Sequence, residues 1–184
     1  CPGNGTDVRA VPPNCCCRAS LALMAGYFQS PLTADDWERL LPADQAPFSV
    51  EAIVSAARAA GLEVIAVAWD DPAAADLDAP CLLHVRAEAD DAAPNHFVVC
   101  FGERDGHVCL ADYPGGPVMT PRPRVYPYWS GTAIYVGAPG DQRIRDLHWR
   151  VQRPTMIRAA GVLVVAAAGL YFLMLNRQRW RRPT

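Results

Sequence analysis

The hydrophobic pattern changes its period at Gly61, and this change limits the fold more than any other feature of the chain. Before Gly61, apolar residues recur at helical spacing, and Leu21, Met24 and Phe28 fall on one face of a helix. After Gly61, the apolar runs are short and partly β-branched, as in strands. Helices followed by strands predict an α+β fold in which helices pack on an antiparallel sheet.

Three helices are predicted in the first part of the chain. The first covers residues 16–28. Thr33 opens the second, because Asp36 stands three residues later and completes a capping box. Ser49 is the expected N-cap of the third helix, and Gly61 is its natural stop, since glycine readily adopts the left-handed conformation that ends helices.

The second part of the chain predicts five strands, at residues 62–67, 80–85, 96–101, 107–112 and 132–136. Residues 102–106 form the expected hairpin turn between the third and the fourth strand. A turn centred on Arg104 pairs His96 with Asp112 along the same ladder. Directly opposed residues have Cβ atoms about 5 Å apart on one face of the sheet, so we expect a hydrogen bond between these two side chains.

A charge-free segment follows the predicted domain, at residues 159–175. With residues 156–158 it gives 20 residues, or about 30 Å of helix, enough to cross the hydrocarbon core of a bilayer. Trp180 and the arginines around it form an interfacial anchor. We therefore predict one C-terminal transmembrane helix, with the arginine-rich tail in the cytoplasm and the folded domain outside it.

The predicted organisation has five parts. They are an extended lead-in at 1–15, the folded domain at 16–137, a linker and interfacial segment at 138–155, the transmembrane helix at 156–175 and a basic tail at 176–184. The net charge of −2 excludes a basic surface for nucleic acid.

Seven cysteines occur without a C-x-x-C pair, which argues against a thioredoxin-like redox centre or a zinc ribbon. We expect no metal and no cofactor. Cys1 is a candidate for lipidation, or for a disulfide with Cys15 or Cys17. His84 and His107 have no nearby ligand set and are interpreted as structural. Three further cysteines lie in apolar strands and are expected to be small buried hydrophobic residues: Cys81, Cys100 and Cys109.

Cys16 has the sequence context of a catalytic thiol. A cysteine peptidase needs a thiol of lowered pKa, a histidine that shares its proton and a polar group that holds the imidazole. A helix N-terminus lowers a thiol pKa through its unpaired N–H groups, and Cys16 begins the first predicted helix. Cys15 and Cys17 remain alternatives for the nucleophile.

Four motifs resemble, in order and spacing, those of the bacteriocin-processing cysteine peptidases, papain-like domains of exporters that cut leaders after a double glycine. The matching segments are Cys16-Cys17-Arg18-Ala19-Ser20-Leu21 for the family's Cys-Gly-Pro-x-Ser/Ala-Leu, His96-Phe97-Val98-Val99 for its His-Phe-x-Val, Asp112-Tyr113-Pro114-Gly115-Gly116 for its Asp-Pro and glycine turn, and Trp129-Ser130-Gly131 for its aromatic-Ser-Gly. The resemblance covers roughly residues 6–137. It implies a papain-like fold with Cys16 as nucleophile, His96 as general base and Asp112 as the orienting acid.

The chain departs from this family at two places. The family has a glutamine about half a dozen residues before the nucleophile, where its amide helps to form the oxyanion hole, but the first glutamine here is Gln29. Loss of one oxyanion donor costs on the order of a hundredfold or more in rate. In addition, Cys17-Arg18 stands in place of the family's Gly-Pro.

These features together predict a membrane-anchored cysteine peptidase that cleaves a peptide or a leader segment by a Cys-His-Asp mechanism. The alternative, favoured by the missing glutamine, is a catalytically inactive peptidase-like accessory subunit or peptide-binding module of a bacterial membrane complex. The expected partners are a peptide or protein substrate, membrane lipid and other membrane-protein subunits, but no nucleic acid.

Overall fold

Three helices precede a run of six strands in the computed structural model, which describes residues 16–30, 32–87, 93–94 and 96–151. The helices are α1 (Cys16–Tyr27), α2 (Ala34–Leu40) and α3 (Val50–Ala59). The strands are β1 (Glu63–Ala68), β2 (Cys81–Val85), β3 (His96–Arg104), β4 (His107–Ala111), β5 (Pro117–Pro121) and β6 (Trp129–Gly137). The order of elements confirms the predicted α+β class.

Local hydrogen bonds at the helix ends confirm the predicted caps. The Thr33 backbone N–H donates to the Asp36 carboxylate at 2.8 Å, and the Thr33 hydroxyl accepts from the Asp36 N–H at 3.3 Å, which completes the capping box of α2. The Ser49 hydroxyl accepts from the Ala52 N–H at 3.1 Å and caps α3. Gly61 has φ +78° and stands just past the end of α3, as expected of a helix stop.

All strand pairs in the described residues are antiparallel, and the sheet order is β1-β6-β2-β3-β4-β5. β5 was not predicted, because prolines at both of its ends obscure the strand pattern. Proline is tolerated there because β5 is an edge strand, where one row of N–H groups needs no partner strand.

Two layers cover the sheet. Helices α1 and α3 pack on one face, where their apolar residues form a core with residues of β2, β3 and β6, including Leu21, Met24, Ile53, Leu82, Val99 and Ile134. The opposite face of the sheet carries Tyr135, because side chains alternate along a strand and Ile134 faces the helices. There the Trp69 indole N–H donates to the Tyr135 hydroxyl at 3.0 Å. The Arg122 guanidinium adds hydrogen bonds to the carbonyl groups of Pro72, Ala73 and Ala75, which hold the segment between β1 and β2.

The predicted pairing of the β3–β4 hairpin is wrong by three residues next to the turn and by two residues beyond the bulge, on the side of His96. The turn is the two-residue Asp105-Gly106, with φ +52° and +73°, and a bulge lies between Cys100 and Glu103. The ladder pairs Val99 with Ala111, so His96 and Asp112 are diagonal neighbours and not directly opposed. Because a shift of two residues keeps every side chain on its face, the predicted contact between them survives the error.

The region after β6 continues to pack on the domain for a few residues. Residues 142–151 are helical, and the first compact unit of the chain ends at Ile144, which is only 3% exposed. None of the helices in the described part of the chain has the length and apolarity that a bilayer crossing requires. The lead-in 1–15, the predicted span 156–175 and the basic tail 176–184 lie outside the described residues, so these three assignments stay predictions.

Candidate active site

The nucleophile candidate is half-buried at the first residue of α1. Hydrogen bonds from the Cys17 thiol, the His96 imidazole and the Phe97 backbone N–H lower the pKa of Cys16 to about 4, although partial burial opposes them. All three donors favour the negative thiolate over the neutral thiol. The sulfur therefore carries a negative charge over the whole neutral range of pH.

His96 is the first residue of β3 and stands between the thiol and a carboxylate. Its Nε2 lies 2.7 Å from Oδ1 of Asp112, the residue that follows β4. Hydrogen bonds with Cys16 and Asp112, together with their negative charges, raise the pKa of His96 to about 9 against the opposing effect of burial. Between pH 4 and pH 9 the thiol and the imidazole therefore form an ion pair of thiolate and imidazolium.

A cavity of about 470 Å³ opens beside Cys16. Its walls come from the start of α1, the segment before α3, and the facing strands β2 and β3, with the lining residues Cys16, Cys17, Ala46, Pro47, Phe48, Ser49, Val50, His84, Pro94 and Phe97. The His84 ring stacks on the Phe97 ring at 4.6 Å between centroids. Partial burial lowers the pKa of His84, so its imidazole is neutral at pH 7.

His84 belongs to the wall of this cavity, a placement that the sequence did not indicate. It was interpreted as structural, because no ligand set stands near it in the sequence. Its pairing with Phe97 across β2 and β3 brings it to the site. His107, the other histidine interpreted as structural, lies at the hairpin turn with its Nδ1 3.0 Å from the carbonyl oxygen of Asp105.

Cys17 and Arg18, the residues at the family's Gly-Pro positions, are both buried. Cys17 is 5% exposed and belongs to the core under α1, so it is a neighbour of the reactive sulfur and is shielded from solvent. Arg18 is also buried and forms an ion pair with Glu38 of α2. The Glu38 carboxylate in turn accepts from the Ala43 N–H at 3.0 Å. The residues that replace Gly-Pro thus bind α1 to the core and to α2.

Gln29 cannot replace the glutamine that the family has before its nucleophile. It follows the C-terminal end of α1, whereas Cys16 is the first residue of the helix. The 12 residues of α1 separate them by about 18 Å along the axis. The residues before Cys16, among them the alternative nucleophile Cys15, lie outside the described part of the chain.

Of the three cysteines in the strands, two are free thiols and one is disulfide-bonded. Cys81 and Cys100 are free and buried, and they face each other across β2 and β3. Cys109 is buried as predicted, but it is disulfide-bonded, so its interpretation as a simple hydrophobic residue is wrong. Every other described cysteine is a free thiol, and because Cys17 is one of them, the predicted alternative of a Cys1–Cys17 disulfide is wrong. Cys1 itself, the predicted candidate for a disulfide or a lipid, lies outside the described residues.

Helices on one face of an antiparallel sheet, with a thiol at the start of the first helix beside an imidazole on a strand, define a papain-like arrangement. The chain belongs to the peptidase C39 family, whose model matches residues 8–140. This match confirms the resemblance inferred from the sequence motifs. No curated protein matches the chain significantly.

Solved structures share the fold at low sequence identity. A double glycine motif protease from an AMS/PCAT transporter, in complex with its leader peptide, is 21% identical with a TM-score of 0.58 over 69% of this chain and 86% of that one. The peptidase domain of Streptococcus ComA, a bifunctional ABC transporter in quorum sensing, is 20% identical with a TM-score of 0.54 over 70% and 94%. The peptidase C39-like domain of a toxin secretion ATP-binding protein from Vibrio parahaemolyticus is 15% identical with a TM-score of 0.53 over 69% and 99%.

Proposed function

We propose that this chain is a cysteine peptidase that cleaves a leader peptide after a double glycine. The contact of the Cys16 sulfur with His96, and of His96 with Asp112 at 2.7 Å, is the observation that supports the activity most directly. Membership of the peptidase C39 family, and a similar structure described as a double glycine motif protease with its leader peptide, support the choice of substrate.

The proposed reaction has two halves. The Cys16 thiolate attacks the carbonyl carbon of the scissile peptide bond, and the His96 imidazolium gives its proton to the leaving amine as the C–N bond breaks. This step leaves a thioester on Cys16 and a neutral imidazole. His96 then takes a proton from water, whose oxygen attacks the thioester and releases the acid and the thiolate. Asp112 orients the imidazole throughout and stabilises its charged form.

A synthetic leader peptide ending in Gly-Gly, joined to a short cargo sequence, tests this proposal. We expect the full chain in detergent to cut after the second glycine, and mass spectrometry of the products locates the cut. A peptide with Ala-Ala in place of Gly-Gly is the substrate control, and Cys16→Ala is the enzyme control. Cleavage that persists in Cys16→Ala, or a wild-type chain that cuts neither peptide, contradicts the proposal.

The second candidate function is an inactive peptidase-like module that binds leaders without cutting them. The absence of a glutamine from residues 1–15 favours it, since the family uses that amide in the oxyanion hole. In the same experiment this function predicts that the Gly-Gly peptide binds, measured by fluorescence anisotropy, and stays intact. It also predicts equal affinity for the wild-type chain and Cys16→Ala.

We further propose that the domain is anchored in a bacterial membrane and faces away from the cytoplasm. The predicted span 156–175, charge-free from Ala159 onward, supports the anchor. The disulfide of Cys109 supports an oxidising compartment, because cytosolic thiols are kept reduced. Membrane lipid and further membrane-protein subunits are the partners that such an anchor implies. Protease protection in sealed spheroplasts tests the orientation, since a cytoplasmic domain would resist an external protease.

A further inference from the structure

A second hydrogen bond joins the nucleophile helix to the histidine strand. The Ser20 hydroxyl donates to the Phe97 carbonyl oxygen at 3.0 Å, and Ser20 is only 1% exposed. Ser20 follows Cys16 by four residues, so both side chains lie on the same face of α1, one turn apart. Phe97 directly follows His96 in β3. The two contacts therefore bind neighbouring turns of α1 to the first two residues of β3.

The backbone N–H and the backbone C=O of Phe97 both contact side chains of α1. Its N–H donates to the Cys16 sulfur, and its carbonyl accepts from Ser20. In an antiparallel sheet the N–H and C=O of one residue normally bind the same residue of the next strand. Phe97 pairs with His84 of β2, but the described pairs of β3 with β4 begin only at Val99, so at Phe97 two side chains of α1 take the place of a partner in β4.

We infer that Ser20 is a positioning residue of the proposed peptidase, whose hydroxyl fixes the start of β3 against α1 and so holds His96 beside Cys16. This inference rests on the proposed function. Ser20 is buried and does not line the cavity, so it acts through the backbone of Phe97 and not on the substrate. The facing pair Cys81 and Cys100 lies further along the sheet and takes no part in this positioning.

Ser20→Ala tests the inference in the full chain. Alanine has a higher helix propensity than serine, which favours retention of α1. The rate of Cys16 alkylation by iodoacetamide is measured against pH, with peptide mapping to separate Cys16 from the other thiols. We expect the midpoint of its titration to move to higher pH by up to about one pH unit, the effect of one hydrogen bond. In peptide cleavage we expect a lower kcat and an unchanged KM.

Three further variants separate positioning from folding. Ser20→Thr retains the hydroxyl and should titrate like the wild type. Thr33→Ala removes the cap of α2 and should lower the melting temperature without moving the titration of Cys16. Should Ser20→Ala fail to fold, Ser20→Cys takes its place, since it retains the volume and weakens the donor, and an intermediate midpoint is expected.

A Ser20 variant that melts at a lower temperature but titrates and turns over like the wild type overturns the inference, because the hydroxyl would then be structural only. The alkylation measurement needs no peptidase activity. A chain that cuts no leader but shows the shifted midpoint contradicts the proposed function and supports the positioning role of Ser20. A chain that cuts leaders, with neither midpoint nor kcat affected by Ser20→Ala, supports the proposed function and contradicts the positioning role of Ser20.

Discussion

At the scale of single residues, the charge state of the site follows from donors around one sulfur. The pKa of Cys16 is lowered to about 4 and that of His96 is raised to about 9, so each group is charged where a free thiol or a free imidazole is mostly neutral. The largest lowering comes from the Cys17 thiol and not from His96. The replacement of the family's glycine by cysteine thus adds a donor to the thiolate.

We predict a diagnostic reactivity of Cys16 at acid pH. At about pH 5 a free thiol of pKa ~8.5 is almost wholly protonated, whereas Cys16 is mostly thiolate. A low-pKa thiolate is also a weaker nucleophile, by a factor of about 100 for this difference in pKa. The balance leaves Cys16 roughly thirtyfold faster than glutathione toward iodoacetamide at about pH 5, and slower at about pH 8. A Cys16 that gains rate only above pH 8 would contradict the ion pair.

The pH dependence of peptide cleavage should be limited by the pKa values of Cys16 and His96. The thiolate is lost as pH falls through the Cys16 pKa of about 4, and the imidazolium is lost as pH rises through the His96 pKa of about 9. The plot of kcat/KM against pH is therefore expected to be bell-shaped with these limits. A profile that rises steadily through pH 9 would show that the reactive form contains a neutral imidazole.

The Cys17 thiol can be tested by a pair of variants. We predict that Cys17→Ala raises the pKa of Cys16, because one donor to a charged group is removed, and moves the midpoint of its alkylation profile up by about one to two pH units. Cys17→Ser restores a donor of similar size and should reverse most of this change. If both variants alkylate like the wild type, the thiol contact has no influence on the nucleophile.

At the scale of elements, a glycine permits a close backbone contact between β6 and the segment that follows β1. Gly131 in β6 has φ +83°, and its carbonyl accepts from the Trp69 N–H at 3.0 Å. A Cβ at Gly131 would lie 2.6 Å from the Trp69 carbonyl oxygen. This position is the glycine of the aromatic-Ser-Gly motif, so the motif has a backbone cause: only glycine fits both the dihedral angle and the neighbouring peptide.

We predict that Gly131→Ala lowers the free energy of unfolding by roughly 2 kcal/mol or more, from the left-handed dihedral and the backbone contact together. Gly116→Ala is the matched control, since a Cβ there meets no atom within 4 Å and its φ is not positive. It should change stability by less than about 0.5 kcal/mol. Urea unfolding of both variants measures the difference, and equal stabilities would refute the close approach at Trp69.

At the scale of the whole molecule, the boundary between domain and anchor is the main feature that can be tested. The predicted domain ends at Gly137, but a Cβ at Gly137 would lie 2.8 Å from the Ile144 side chain, which is itself buried. The compact unit also ends at Ile144. A cut at Ile144 therefore retains an apolar contact that a cut at Gly137 removes.

We predict that a chain ending at Ile144 is monodisperse without detergent, whereas the full chain requires detergent or lipid. Size-exclusion chromatography with light scattering measures both. The chain ending at Gly137 is the control, and it should be less stable because it lacks Ile144. Aggregation of the chain ending at Ile144, beside a full chain that is monodisperse in buffer, would contradict a membrane anchor at residues 156–175.

The state of the cysteines gives a second test at this scale. In protein purified without reductant, we predict that Cys109 resists iodoacetamide even after unfolding, whereas Cys81 and Cys100 react once the chain is unfolded. Non-reducing peptide mapping should join Cys109 to Cys1 or Cys15, the two cysteines outside the described residues. Reduction should cost about 2–5 kcal/mol of stability. A reactive Cys109 in the unreduced protein would remove the support for an oxidising compartment.

The amino-acid sequence by itself determined the features that depend on short-range interactions. The caps of α2 and α3 were predicted at Thr33 and Ser49, because a capping hydroxyl reaches an N–H only three residues away. The order of helices and strands followed from the change of period at Gly61. The family motifs around Cys16 and His96 identified the peptidase C39 family, since their residue types are fixed by local chemistry.

The tertiary structure alone decided the features that depend on long-range pairing. The hairpin register was wrong because a bulge at Gly102 and a two-residue turn at Asp105 shift the ladder, although the Asp-Gly pair is itself a known turn signal. Ser20 and His84 joined the site only through their contacts with Phe97, at sequence separations that no local pattern reports. Such contacts depend on how α1 and β2 meet β3, and packing of distant segments fixes that geometry, not the spacing of residues along the chain.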